Sequence, residues 1–190
     1  MLAVVMPYEG FAQKKKEKKA AAAATVRGIG LKIEREECEE MAMDITATTP
    51  REYGSAVSSN EAMATNLALL DARSKLAQQL VAMVEGGTSS YMEQAGTNAK
   101  EIFKNTQKME QEGYFDSLLR NTRSIKKNTY LKEDGTYHVY ICIEMNPGWD
   151  QSICNKLHED EIMSIEVDEA MYRERLKEAR DEFMRRRANE

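Results

Sequence analysis

Two histidines and three cysteines are the residues of this chain best suited to chemistry: His138, His158, Cys38, Cys142 and Cys154. Cys154 and His158 stand four positions apart, so on a helix they share a face. An imidazole beside a thiol can activate a thiolate nucleophile or supply half of a metal site. An enzyme built on this pair, thiol-dependent or metal-assisted, predicts a Cys154 thiol titrating well below the free value of about 8.5. Neither histidine has a second histidine or a cysteine at metal-ligand spacing, which argues against zinc. Cys142 lies in a strand-like run and reads as a small packed hydrophobe. The alternative is a Cys142 to Cys154 disulfide, closing a loop of about 12 residues and contributing roughly 3 kcal/mol in an oxidising compartment.

Charged clusters offer weaker chemistry. Glu34, Glu36, Glu37, Glu39, Glu40 and Asp44 could gather a divalent cation, but they lack the alternating ligands and glycine turn of a calcium loop and read as a solvated helix face. Arg120, Arg123, Lys126, Lys127 and Lys132, with Tyr130 among them, could meet a phosphate backbone or an acidic glycan. The same lysines would also protect an edge strand from aggregation. Gly28 and Gly30 lack the third glycine and the preceding strand of a nucleotide loop. No cofactor is implied.

Composition narrows the classes. A chain of 190 residues, 42% hydrophobic and 31% charged, supports one domain with tails. A net charge of −5 and a pI near 5.3 give the whole molecule no pull toward nucleic acid. Three scattered cysteines do not make a disulfide framework, and no apolar run approaches the roughly 18 residues that span a bilayer.

The opening residues, Met1 to Ala12, are apolar and end in Gly10-Phe11-Ala12, the small-x-small form that signal peptidase cleaves. They lack a positively charged n-region, and Glu9 interrupts them. The expectation is a signal-peptide remnant over residues 1–12, with Met1 internal to the apolar region and the reading frame beginning upstream. No cysteine follows the cleavage point, so the mature form is expected to carry no lipid. Residues 13–27, with Lys14 to Lys19 (KKKEKK) and Ala20 to Ala24, read as a basic, alanine-rich tether able at most to touch anionic headgroups.

The positioning elements follow from periodicity. Lys32 to Asp44 predicts a first helix, stopped by Pro50. Tyr53-Gly54-Ser55-Ala56-Val57 predicts a short strand whose small residues let another element close in. Ser59 and Asn60 are cap residues for a helix with Met63, Leu67, Leu70, Leu80, Val81 and Val84 on one face, alanines that permit close approach to a sheet, and Gly86-Gly87 as its end. A weaker helix is predicted from about Tyr91 to Glu112, with Ala95, Ala99, Ile102, Phe103, Thr106 and Met109 inward. Tyr114 to Tyr130 and Thr136 to Met145 flank Glu133-Asp134-Gly135, a hairpin signal. In the second arm Tyr137, Val139, Ile141 and Ile143 share one face, and His138, Tyr140, Cys142 and Glu144 the other. Pro147-Gly148-Trp149 breaks the strand. After a polar region, a charged helix from about Asp168 to Ala188 carries the narrow stripe Tyr172, Leu176, Ala179 and Phe183, which wants a partner surface.

Gly54-Ser55-Ala56-Val57, Asn60, Ala62 and the run from Asn66 to Ala77, with Asp134-Gly135-Thr136-Tyr137-His138-Val139-Tyr140 further on, resemble the small bacterial envelope lipoproteins typified by the twenty-kilodalton Helicobacter lipoprotein. The resemblance covers Tyr53 to Met145. It implies an envelope-located strand, helix and hairpin domain, related in fold to the N-terminal domain of a flagellar assembly protein and without known enzymatic activity. This chain departs from the family in lacking the lipobox cysteine and in its charged C-terminal helix.

The expectation is therefore an α+β domain over residues 28–150, a small antiparallel sheet backed by helices, followed by a linker and charged helix over 151–190. Its expected role is that of an exported periplasmic or cell-envelope binding module, non-catalytic, meeting a protein partner or a second copy through Tyr172, Leu176 and Phe183. An envelope assembly factor is the alternative in the same compartment, and the Cys154–His158 enzyme the alternative of another class.

Overall fold

The computed structural model describes residues 35–95, 102–111 and 113–189. The expected signal remnant and tether lie outside them, as do Glu34, Ala99 and the Gly28 stretch. The fold is α+β, as the patterning predicts. Residues 36–190 form one compact unit built on a three-stranded antiparallel sheet: β1 (Arg51–Ser58), β2 (Thr122–Leu131) and β3 (Tyr137–Met145), with β3 in the centre. β2 and β3 make the expected hairpin. Its turn is held by Asp134 Oδ1, which accepts from the Thr136 N–H at 2.9 Å, and by Gly135 at a φ of +80°, a left-handed conformation open to glycine at little cost.

α1 (Glu37–Ala42) is shorter than expected and lies on one face of the sheet; α2 (Glu61–Ala95) lies on the other. The apolar stripe expected to bury α2 does not do so throughout. Met63, Leu67 and Leu70 stay 59%, 44% and 60% exposed, while Ala64, Ala68 and Ala72 are fully buried. Gly54 sets this choice: a Cβ there would stand 2.1 Å from the Ala68 carbonyl oxygen and 2.4 Å from the Ala72 nitrogen. Backbone meets backbone at that crossing, and only the alanine stripe is small enough to be turned inward. The strand's small residues thus act as expected.

Gly86 and Gly87 do not end α2. Each costs the helix about 1 kcal/mol relative to alanine, but at these positions the C-terminal helix α5 (Glu169–Ala188) packs down, with Leu176 Cδ2 3.0 Å from where a Gly87 Cβ would be. α2 therefore runs on through Tyr91 to Ala95, so the first residues of the helix expected from about Tyr91 to Glu112 belong to α2, and Thr106–Glu110 forms a 3₁₀ turn. The region from Tyr114 to Asn121, expected to lead the hairpin, instead holds the single turn α3 (Asp116–Leu119).

The stripe on α5 is not free for a partner. Tyr172 and Leu176 are fully buried against α2, the Tyr172 hydroxyl 3.1 Å from Thr88 Oγ1, and Phe183 is half-buried. The narrow stripe is satisfied inside the chain because α2 runs far enough past the sheet to receive it. Arg187 at the end of α5 returns to β1 and forks onto the buried carboxylate of Glu52. The polar region before α5 contains an unexpected helix, α4 (Trp149–Glu159). It begins after Gly148 in the left-handed region and is tied to α5 by the buried Asp150, which accepts from Arg173 Nε at 2.8 Å.

Candidate functional site

A groove of about 600 Å³ opens where the C-terminus of α4, the loop to α5 and the chain before the 3₁₀ turn converge. That is within the size range of small-molecule sites, roughly 300 to 1,000 Å³. Its frame is a single antiparallel bridge between Phe103 and Met163, made by the Lys104 N–H donating to Ile162 O at 2.8 Å and the Ser164 N–H to Ile102 O at 2.9 Å. Beneath it Phe103 meets Tyr91 and Tyr172 with ring centroids 5.9 and 5.4 Å away, an aromatic support that fixes the bridge. Ile102, Ile162 and the 93%-exposed Ile165 give the groove apolar walls; Lys104, Asn105 and His158 give it polar ones.

His158 sits in the last turn of α4 and Glu169 in the first turn of α5. His158 Nδ1 is 3.0 Å from the Met163 carbonyl oxygen, and Nε2 is 3.0 Å from Glu169 Oε1. Both ring nitrogens face oxygen acceptors, one on the loop and one on α5. Gln151 also donates to Glu169, and this hydrogen bond, opposed by partial burial and aided by His158, holds the Glu169 carboxyl below its ordinary value. The ring thus joins the last turn of α4 to the first turn of α5 and to the loop between them.

Two non-glycine residues among those described have positive φ, Asn105 at 54° and Glu161 at 56°, and both line this groove. Glu161 occupies the position after a helix that glycine usually takes: its N–H bonds His158 O at 3.0 Å, and the next N–H, of Ile162, bonds Leu157 O at 2.9 Å. A side chain held there costs about 1 kcal/mol or more. Glu161→Gly is accordingly expected to raise the unfolding free energy by roughly 1 kcal/mol in urea titration. An unchanged or lower value would show that the glutamate side chain makes a compensating contact. Asparagine tolerates this backbone and so gives a faint sequence signal at 105; Glu161 gives none.

The other sequence candidates land elsewhere. Cys154 is one turn from His158 but fully buried in the main core, and its thiol is pushed up to about 12, first by burial and then by Glu169. This is opposite to the low-titrating thiol that a Cys154–His158 nucleophile needs. Cys142 and Cys154 do not share a cluster: Cys142 is packed, as its leading reading has it, on the α1 face across the sheet from the core that holds Cys154, so the alternative of a disulfide between them does not fit this arrangement. Among the described residues, no group of three or more His, Cys, Asp or Glu side chains could hold a metal ion.

The basic patch is largely neutralised from within. Arg123 bonds Glu144, Lys126 pairs with Glu37 at 2.7 Å and Lys127 with Glu61 at 3.1 Å, leaving Lys132 exposed near the hairpin turn and Arg120 exposed beside a second groove near Asp116. A polyanion would have to break three ion pairs made by α1, the start of α2 and β3. In the acidic cluster, Glu37 makes the ion pair with Lys126, and two further members are held within the chain. Glu36 caps α1 through the Cys38 N–H at 2.7 Å and accepts from Asn128, while Asp44 takes the Thr46 N–H at 2.9 Å.

Fold and site together define an α+β module with a ligand-sized groove at a helix-to-helix turn. Compared with known proteins, the chain matches no family model, no curated protein and no solved structure. Among the described residues no helix is long and apolar enough to cross a membrane.

Proposed function

We propose that the chain is an exported protein of the bacterial cell envelope that works as a non-catalytic binding module, with the groove at His158, Asn105 and Glu161 as its ligand site. The observation that carries the binding reading is the placing of both left-handed non-glycine residues on one groove, because backbone strain persists where the surroundings over-determine it and collects at ligand-holding sites. The apolar walls with a few convergent polar groups fit the same reading. Export is supported by the apolar Met1 to Ala12 with its small-x-small ending. Kinship with the small envelope lipoproteins, on the Gly54 to Ala77 and Asp134 to Tyr140 runs, belongs to the proposal.

Hydrogen exchange of the purified full chain, with and without the small-molecule fraction of a soluble envelope extract, tests the groove. Exchange should slow at residues 102–105 and 158–169; unchanged exchange there sinks the groove as a ligand site. An epitope-tagged chain should fractionate with periplasmic markers, and co-fractionation with cytosolic ones sinks export.

The second reading, an envelope assembly factor, is favoured by one feature: Met63, Leu67 and Leu70 form an exposed apolar stripe on α2. It would place protein contacts on α2 rather than on the covered α5 stripe. A stable stoichiometric complex in envelope extracts, lost on Leu67→Glu, distinguishes it.

A further inference from the structure

The sheet sorts the three cysteines into two groups. Cys38 of α1 and Cys142 of β3 are both fully buried in one small cluster with Ala42, ringed by Met41, Tyr53, Ile125 and Tyr140, while Cys154 lies in the main core. α1 settles where β2 is irregular: the pairing with β3 slips between Ser124 and Lys126, so that Ile143 and Cys142 face those two residues with Ile125 unpaired between them. A bulge of this kind bends the strand and re-aims side chains locally. All three cysteines are buried thiols in the structure, and only Cys38 and Cys142 share a cluster.

We propose that Cys38 and Cys142 are a disulfide pair in the oxidised protein, with Cys154 remaining a thiol. The chemistry is thiol–disulfide exchange with an external low-molecular-weight or protein disulfide. One cysteine thiolate attacks it and forms a mixed disulfide; the second displaces the remaining external sulfur. The two cysteines lose two electrons and two protons, and the external disulfide gains them as two thiols. The proposal leans on the export reading only for the origin of that oxidant.

The order of events follows from burial. In the folded reduced chain burial pushes the Cys38 thiol up to about 11 and the Cys142 thiol up to about 12, so few thiolates exist to start the exchange. The bond therefore forms while the chain folds, before α1 closes over the sheet. Once made, it fastens a helix of six residues to the central strand. Without it, α1 is held by the burial of Cys38 and Ala42 and by the contacts of Glu36 with Asn128 and Glu37 with Lys126.

The test uses the purified full chain, reduced and unfolded, then refolded in a mixture of oxidised and reduced glutathione, trapped with iodoacetamide under denaturing conditions and mapped by mass. The expected map links the Cys38 peptide to the Cys142 peptide and carries the alkyl group on Cys154. Cys154→Ser keeps the link and Cys38→Ser loses it. Amide exchange over Glu37–Ala42 should slow at least tenfold on oxidation and recover with reductant. A Cys142 to Cys154 link, or three alkylated cysteines, overturns the pairing. Because the oxidant is supplied in the tube, a cytosolic protein that still forms the Cys38 to Cys142 link would sink export alone, and an exported one with three thiols would sink the pairing alone.

Discussion

Gly54→Ala lowers the unfolding free energy by roughly 4 kcal/mol or leaves the chain unfolded at room temperature, above the usual cost of overpacking of about 1–3 kcal/mol because the clash is with backbone. The added methyl would stand 2.1 Å from the Ala68 carbonyl oxygen and 2.4 Å from the Ala72 nitrogen. No side chain can swing away, because both neighbours are backbone in the interior of α2. β1 would have to lift off the helix, uncovering Ala64, Ala68 and Ala72 together. Urea titration followed by far-ultraviolet circular dichroism gives the value. A loss under 1 kcal/mol would mean that the crossing is looser than its distances. Gly135→Ala, with open space around the turn and only its positive φ to strain it, serves as the comparison and should cost far less.

Glu144→Gln costs about 3 kcal/mol at neutral pH, the lower part of the range for breaking a buried ion pair. Glu144 is 1% exposed on the central strand and sits between two arginines. Arg51 Nε donates to one carboxylate oxygen at 2.8 Å, joined by Thr49 Oγ1 at 3.2 Å, and Arg123 binds the other. Removing the charge leaves the arginines without their shared counterion; the 61% exposure of the Arg123 side chain moderates the loss. Burial alone would raise the Glu144 carboxyl, but the hydrogen bonds from Arg123 and Arg51 outweigh it and hold the group below its ordinary value. A folded-state value below the unfolded one means that the stabilisation is fully present above the unfolded value and fades as pH falls through the folded one. The gap between wild type and Glu144→Gln should thus narrow as pH falls below the ordinary glutamate value of about 4.3 and on through the lowered folded-state value. A gap that stays constant with pH would show a cost of shape rather than charge. Glu52 works in the opposite sense. Burial raises its carboxyl against the pull of Arg187, so its contribution is largest when protonated and declines as pH rises through the folded value.

These two positions differ in how far they could be read in advance. The small residues of Tyr53 to Val57 announce a close approach, and Gly54 makes it, because a missing Cβ is a local property visible in the residue itself. Glu144 appears in the sequence only as the polar member of an alternating strand. Its arginines come from the start of β1 and from the opposite arm of the hairpin, and α1 packs on the same face of the sheet. The groove shows the same division. His158 is conspicuous as one of two histidines, but its partners are the Met163 carbonyl and a glutamate one helix later, and the bridge to Phe103 joins segments distant in the chain. Glu161 in a glycine's place carries no residue-type signal at all.

By itself the sequence determined what depends on neighbours along the chain: the α+β class, the Asp134-Gly135 turn, the alternation of β3, and the start of α5 near Asp168. These follow from backbone conformational preference and side-chain period, which act over a few residues. Tertiary structure alone decided which face of α2 is buried, that Gly86 and Gly87 mark a helix crossing instead of a helix end, that Tyr172 and Leu176 are covered by their own chain, and that Cys142 keeps company with Cys38. Each of those outcomes is a competition between surfaces for the same partner. Such a competition is settled by which backbones can approach closely enough, a quantity that exists only once the elements have met.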